Sequence, residues 1–138
     1  MKKSNYTLIL VAIALCVNVA VERATTTKPV ELTHAQVTWI GALEWCESHA
    51  RHTAVNKVDR DGTPSYYSFQ FKPSTFKYFG ETYGVIPKGL NEQGVFEKMQ
   101  DYEIMRTVVE KMVIDRKNIK WQNQFPDCVK RLGVPPNY

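Results

Sequence analysis

The sequence contains no internal repeat and no low-complexity tract, so neither a solenoid nor an extended disordered tail is indicated. It holds one long apolar run, from about Thr7 to Val21. That run falls short of the roughly 20 apolar residues a membrane span needs. The excess of positive charge is small, +4 over 138 residues, and +2 once Lys2 and Lys3 are set aside. It is also dispersed, which argues against nucleic acid as a partner but suits a polyanionic surface such as a cell wall. Metal chemistry is poorly provided for. His49 and His52 stand three apart with no third ligand indicated. Aligning Gly62 as the glycine of a calcium loop puts Lys57 and Ser68 at the first and last ligand positions, so that pattern fails. No metal and no cofactor are expected.

What is present fits one globular domain with an ordinary core. "MKKSNYTLILVAIALCVNVA" has two lysines and then the apolar run, the pattern of a secretory signal over residues 1–20, with an uncleaved anchor as the alternative. Residues 21–32 are polar and threonine-rich with one proline, a flexible linker. The domain is then 33–138. Export would leave Cys46 and Cys128 as an even pair in an oxidising compartment, where a bridge is expected.

Local signals place mainly helices. "THAQ" reads as a capping box opening a helix from about His34 to His49, with Val37, Ile40, Leu43 and Glu47 on one face. "NKVDRDGTPSYYSFQF" reads as a turn or short β-hairpin. "KPSTFKYFGETYG" starts a helix with Pro73 at its first position. "VIPKGLNEQG" reads as loop or frayed helix. "DYEIMRTVVEKMVIDRK" is a helix capped by Asp101, its stripe running from Ile104 and Met105 to Met112 and Val113. "IDRKNIKWQ" reads as the solvated end of that helix, and "FPDCVKRLG" as a last short one stopped by Gly133.

Glu47 is the residue with chemical promise. A carboxyl on a half-buried face loses solvation when it ionises, so its pKa rises. A carboxyl still protonated near neutral pH is what a general acid needs. An ordinary solvent-exposed glutamate at a helix end is the equally balanced alternative.

Cys46-Glu47-Ser48, a loop with Asn56, then "SYYSFQF" and "KPSTF" resemble the core of the lysozyme-like lytic transglycosylases, in particular the resuscitation-promoting-factor type of domain. The match runs through Tyr66, Gln70, Phe71, Ser74, Thr75 and Phe76. The resemblance implies a lysozyme-like α+β fold, mainly helical, with a small hairpin and one disulfide. It implies that Glu47 is the catalytic acid and that Cys46 is bridged to Cys128. Ser48, Asn56, Tyr66, Phe69, Gln70, Phe71 and Thr75 would be substrate-binding, Gln70 and the backbone at Phe69 lining an acetamido pocket. The activity implied is cleavage of the N-acetylmuramic acid to N-acetylglucosamine bond of peptidoglycan with closure of a 1,6-anhydro ring, by a monomer exported to the cell envelope. A hydrolytic lysozyme would add a second carboxylate, with Asp59 and Asp61 as candidates. A wall-binding protein that kept the fold without catalysis is the other class. His49 and Ala50 stand where the family has small residues, and Tyr67 or Ser68 where it has glycine.

Overall fold

A computed structural model describes residues 31–115 and 117–136. The expected leader, residues 1–20, and nearly all of the expected linker lie outside them. Among the described residues no helix is long and apolar enough to cross a membrane.

The first helix, α1 (His34–Ser48), opens as its sequence predicts. The Thr33 hydroxyl accepts from the Gln36 backbone N–H at 3.2 Å, and the Gln36 side chain accepts from the Thr33 N–H at 2.9 Å. Two of the N–H groups that a helix start leaves without partners are thereby satisfied. The buried face differs from the expected one. Val37 is exposed, whereas Trp39, Ile40, Leu43 and Glu44 are buried. A spacing of three or four fits several adjacent stripes of a helix, and packing selects among them. Here α1 packs against two later helices, which rotates the stripe away from Val37.

A short hairpin follows. β1 (Val55–Asn56) pairs antiparallel with β2 (Ser65–Tyr66), Val55 opposite Tyr66 and Asn56 opposite Ser65. Its long loop closes on Asp59 and Gly62, Gly62 at φ 78°. Tyr66 and Phe71 then exchange both backbone hydrogen bonds at 3.0 Å, pinching residues 67–70 into a tight loop.

α2 (Pro73–Thr82) has proline in its first turn and buries Phe76, Phe79 and Gly80. A Cβ on Gly80 would lie 2.9 Å from the Ile86 side chain, so a larger residue here would have to displace Ile86 of the following loop. Residues 85–91 are loop, as read, whereas residues 92–94 open α3 (Glu92–Gln100). Asn91 caps it by accepting from the Gly94 N–H at 2.9 Å, and Val95 and Met99, four apart, bury its face. Asp101 ends α3 and caps α4 (Tyr102–Ile114), accepting from the N–H groups of Glu103 and Ile104. Met105, Val108, Val109, Met112 and Val113 of α4 are buried, with Ile104 at the margin.

The reading of residues 114–122 as a solvated helix end is also corrected. α4 stops at Ile114, and a 3₁₀ segment, Ile119–Gln124, carries a wholly buried Trp121 into the core edge-on to Trp39. Burying so large a ring outweighs extending a helix by a few polar residues. α5 (Pro126–Leu132) runs up to Gly133, whose carbonyl accepts from the Trp39 indole at 3.2 Å. Cys46 of α1 and Cys128 of α5 form a disulfide, their Cα atoms 5.8 Å apart. The result is a mainly helical domain with a two-stranded sheet and one disulfide.

Candidate active site

Glu47 occupies the last turn of α1, one residue past the disulfide. It lines a polar cavity of about 280 Å³ closed by the hairpin on one side and α5 on the other. Burial pushes its pKa from 4.5 to about 7, and the charges of Asp127 and Asp59 push the same way. Among the described residues none donates a hydrogen bond to its carboxylate, so nothing specific stabilises the ionised form.

The backbone near the cavity is unusual at two places. His49 and Ala50, directly after α1, both have φ 55°, and Tyr67 and Gln70 have φ 64° and 49°; of these four, Gln70 lines the cavity. Non-glycine residues in this left-handed region carry strain of order 1 kcal/mol or more each, and they concentrate at functional sites. The first pair turns the chain out of α1: His49 N–H bonds to the Trp45 carbonyl at 2.8 Å, Ala50 N–H to that of Glu44 at 3.4 Å. The second pair forms the 67–70 loop. It presents Gln70, whose amide donates to the Tyr67 carbonyl at 2.7 Å while its oxygen accepts from Ser65 at 3.1 Å. Gln124 donates to the Gln70 carbonyl at 3.2 Å, tying the 3₁₀ segment to the same wall. Of the two residues singled out before Phe69, Tyr67 takes a left-handed position of this turn and Ser68 does not.

The hairpin loop is strapped on both flanks. Arg60 pairs with Asp127 at 3.1 Å, and Lys72 pairs with Asp61 and, at 3.7 Å, with Asp59. Lys72 holds the Asp61 carboxyl well below the usual carboxylate range. Beyond this strap lies a larger groove of about 560 Å³, walled by Tyr66 and Phe96 and by Pro64, Leu90 and Val95. The Tyr66 and Phe96 rings meet edge-on at 5.1 Å. Asp61 and Lys72 border both this groove and a shallower depression that shares Asp59, Arg60 and Gln124 with the Glu47 cavity.

The residues singled out from the sequence divide accordingly. Glu47, Asn56 and Gln70 face the cavity. Thr75 borders the depression beside it and Tyr66 the larger groove. Phe69 and Phe71 are wholly buried, so neither side chain offers a face to a ligand. Ser48 is buried as well; it donates to the Glu44 carbonyl and accepts from the Arg51 N–H, finishing the helix. Asp59 reaches the cavity, whereas Asp61 is directed to Lys72. Cavity residues missed in the sequence include Arg60, Ser65, Gln124, Asp127 and Arg131. Two of these had a legible cue. Asp127 and Arg131 flank Cys128, so a bridge to Cys46 brings them to Glu47.

A second carboxylate, Glu44, is also withdrawn from water. Its Oε2 accepts from the Tyr102 hydroxyl at 3.1 Å, which in turn accepts from Arg106 at 3.2 Å. Its Oε1 lies 3.7 Å from His52 Nδ1, and the same nitrogen lies 2.6 Å from Ser68 Oγ. A serine–histidine–acid relay needs serine and acid on opposite ring nitrogens and an accessible serine. Here they share one nitrogen and Ser68 is 1% exposed, so this cluster is a structural tie.

No protein-family model, curated protein or solved structure matches the chain.

Proposed function

We propose that this chain is an exported peptidoglycan lytic transglycosylase with a lysozyme-like fold, Glu47 serving as both general acid and general base. The observation that carries this reading is Glu47 itself: a half-buried carboxyl facing a polar cavity, with no donor to it among the described residues and with its pKa raised to about 7. Such a group is protonated in part of the population at neutral pH and donates to the glycosidic oxygen. The acetamido group of the muramyl sugar stabilises the cationic centre, in a substrate-assisted route that requires no second carboxylate. Glu47, ionised by the first step, then accepts the proton of the O6 hydroxyl as the 1,6-anhydro ring closes. Asn56 supplies an amide to the acetamido group, beside Gln70, whose own amide is held by Tyr67, Ala54 and Ser65. The Tyr66–Phe96 groove gives adjoining sugars an apolar wall.

One observation favours a hydrolytic lysozyme as second reading: Asp59 lines the Glu47 cavity and its charge reaches Glu47. The test has two parts. Wild type and Glu47→Gln are compared on purified peptidoglycan; equal degradation ends both enzyme readings and leaves a wall-binding protein. Product masses then discriminate, anhydromuramyl ends for the transglycosylase and water-added reducing ends for the hydrolase.

A further inference from the structure

The charges around the Glu47 cavity do not balance in pairs. Arg60 is matched by Asp127 at 3.1 Å, and Lys72 is shared by Asp61 and, at 3.7 Å, Asp59. Arg131 also lines the cavity, yet among the described residues no carboxylate lies within ion-pair distance of it. It does not serve as Glu47's counter-ion. The charges that raise the Glu47 pKa are those of Asp127 and Asp59.

Arg131 is also held in register with the acid. It follows Cys128 by three residues on α5, about 5–6 Å along the same helical face. Cys128 is bonded to Cys46, and Glu47 is the next residue. The disulfide therefore fixes a neutralisable acid and an unmatched guanidinium on two walls of one cavity. A guanidinium presents a planar fork that matches a carboxylate through two parallel hydrogen bonds.

From this arrangement, and resting on the function proposed above, we infer that Arg131 is a specificity residue that reads a carboxylate on the lactyl side of the muramyl sugar being cleaved. The chemistry of the strand supplies the partner. Its two sugars differ only in the lactyl ether at C3 of the muramyl ring, the ring whose C1 bond breaks. A cation beside the acid thus selects the muramyl bond and disfavours neutral glycans. The carboxylate is the lactyl acid on a peptide-free strand, or a carboxylate of an attached stem peptide.

Three substrates separate these sources: peptide-free glycan strands, strands carrying stem peptides, and peptide-free strands with lactyl carboxylates converted to amides. Wild type is expected to favour carboxylate-bearing over amidated strands by about tenfold in kcat/KM, through KM, and less so at high salt. Preference for peptide-free strands assigns the lactyl acid; preference confined to stem-bearing strands assigns the peptide. Arg131→Ala collapses the carboxylate-to-amide ratio and Arg131→Lys restores part of it. Lys130→Ala, which removes the same charge from an exposed neighbour outside the cavity, leaves the ratio unchanged. An unchanged ratio in Arg131→Ala, or an equal fall in Lys130→Ala, overturns the inference. Binding isotherms of Glu47→Gln with the same strands keep the two readings apart. If wild type turns over none of them, the enzyme reading fails, and the carboxylate preference in binding still decides the role of Arg131.

Discussion

Glu44 and Glu47 stand three residues apart on one helix, and both are drawn out of water, but their surroundings are opposite. Glu44 is enclosed and tied through one oxygen: Tyr102 donates to its Oε2 and Arg106 supports Tyr102, while its buried Oε1 has no hydrogen-bond partner among the described residues and lies 3.7 Å from His52. Glu47 faces open space with only the repulsion of Asp127 and Asp59 for company. Burial by itself therefore does not mark an acid. A buried carboxylate with donors fastens structure together; one without them is left to exchange its proton with a ligand.

The largest expected effect belongs to Glu47. Glu47→Gln should lower turnover of purified peptidoglycan by about 10²–10⁴-fold, the range for loss of a general acid, with the fold intact by circular dichroism. Glu44→Gln, which keeps an acceptor for Tyr102, should lower it far less. The contrast breaks if the two results are exchanged.

The bridge that joins the Glu47 wall to α5 comes next. Replacing Cys46 and Cys128 by alanine should lower unfolding stability by about 4 kcal/mol in urea titration, because it releases a long closed loop in the unfolded chain. Glu44→Ala should cost about 1–3 kcal/mol by the same measurement, leaving the Tyr102 hydroxyl without its buried acceptor.

The pH dependence sharpens the comparison. A carboxyl raised to about 7 donates only while protonated, so kcat/KM should fall as pH rises through that value. Stability has the same sign. Between 4.5 and about 7 the folded protein holds a proton that the unfolded chain has released. The contribution of the neutral carboxyl is thus complete below 4.5 and is lost as pH rises through about 7. Glu47→Gln should remove this decline from the curve of stability against pH. The smallest effect is expected of Asp127→Asn, which withdraws one repulsive charge and moves the alkaline limb of the pH–rate profile to lower pH.

Much of the helical frame was legible because its signals span only a few residues. The Thr33–Gln36 box, Pro73, the Asp101 cap and the Gly133 stop act on backbone groups within a turn of themselves. The α4 stripe was legible because almost every residue on it is apolar. The α3 helix was not, since Asn91 and Gly94 look like loop residues until the capping bond between them is drawn. Trp121 was not, because Lys120 and Gln122 beside it hide a ring whose burial in the core, edge-on to Trp39, is a long-range contact. Of the site, Glu47 and Gln70 could be named in advance, whereas Phe69 and Phe71 could not be told from groove residues before their burial was known.

By itself the sequence determined a mainly helical chain with two cysteines in the domain and a carboxylate at the end of its first helix. Those follow from local hydrogen bonding and from residue identity. Tertiary structure alone decided which stripe of α1 turns inward. It decided that Glu44 receives the Tyr102 hydroxyl while none of the described residues donates to the Glu47 carboxylate, and that Arg60, Ser65 and Gln124 share the Glu47 cavity. The reason is that desolvation and charge act through space. The groups that set the character of Glu47 come from the hairpin loop and α5, and folding is what brings them to it.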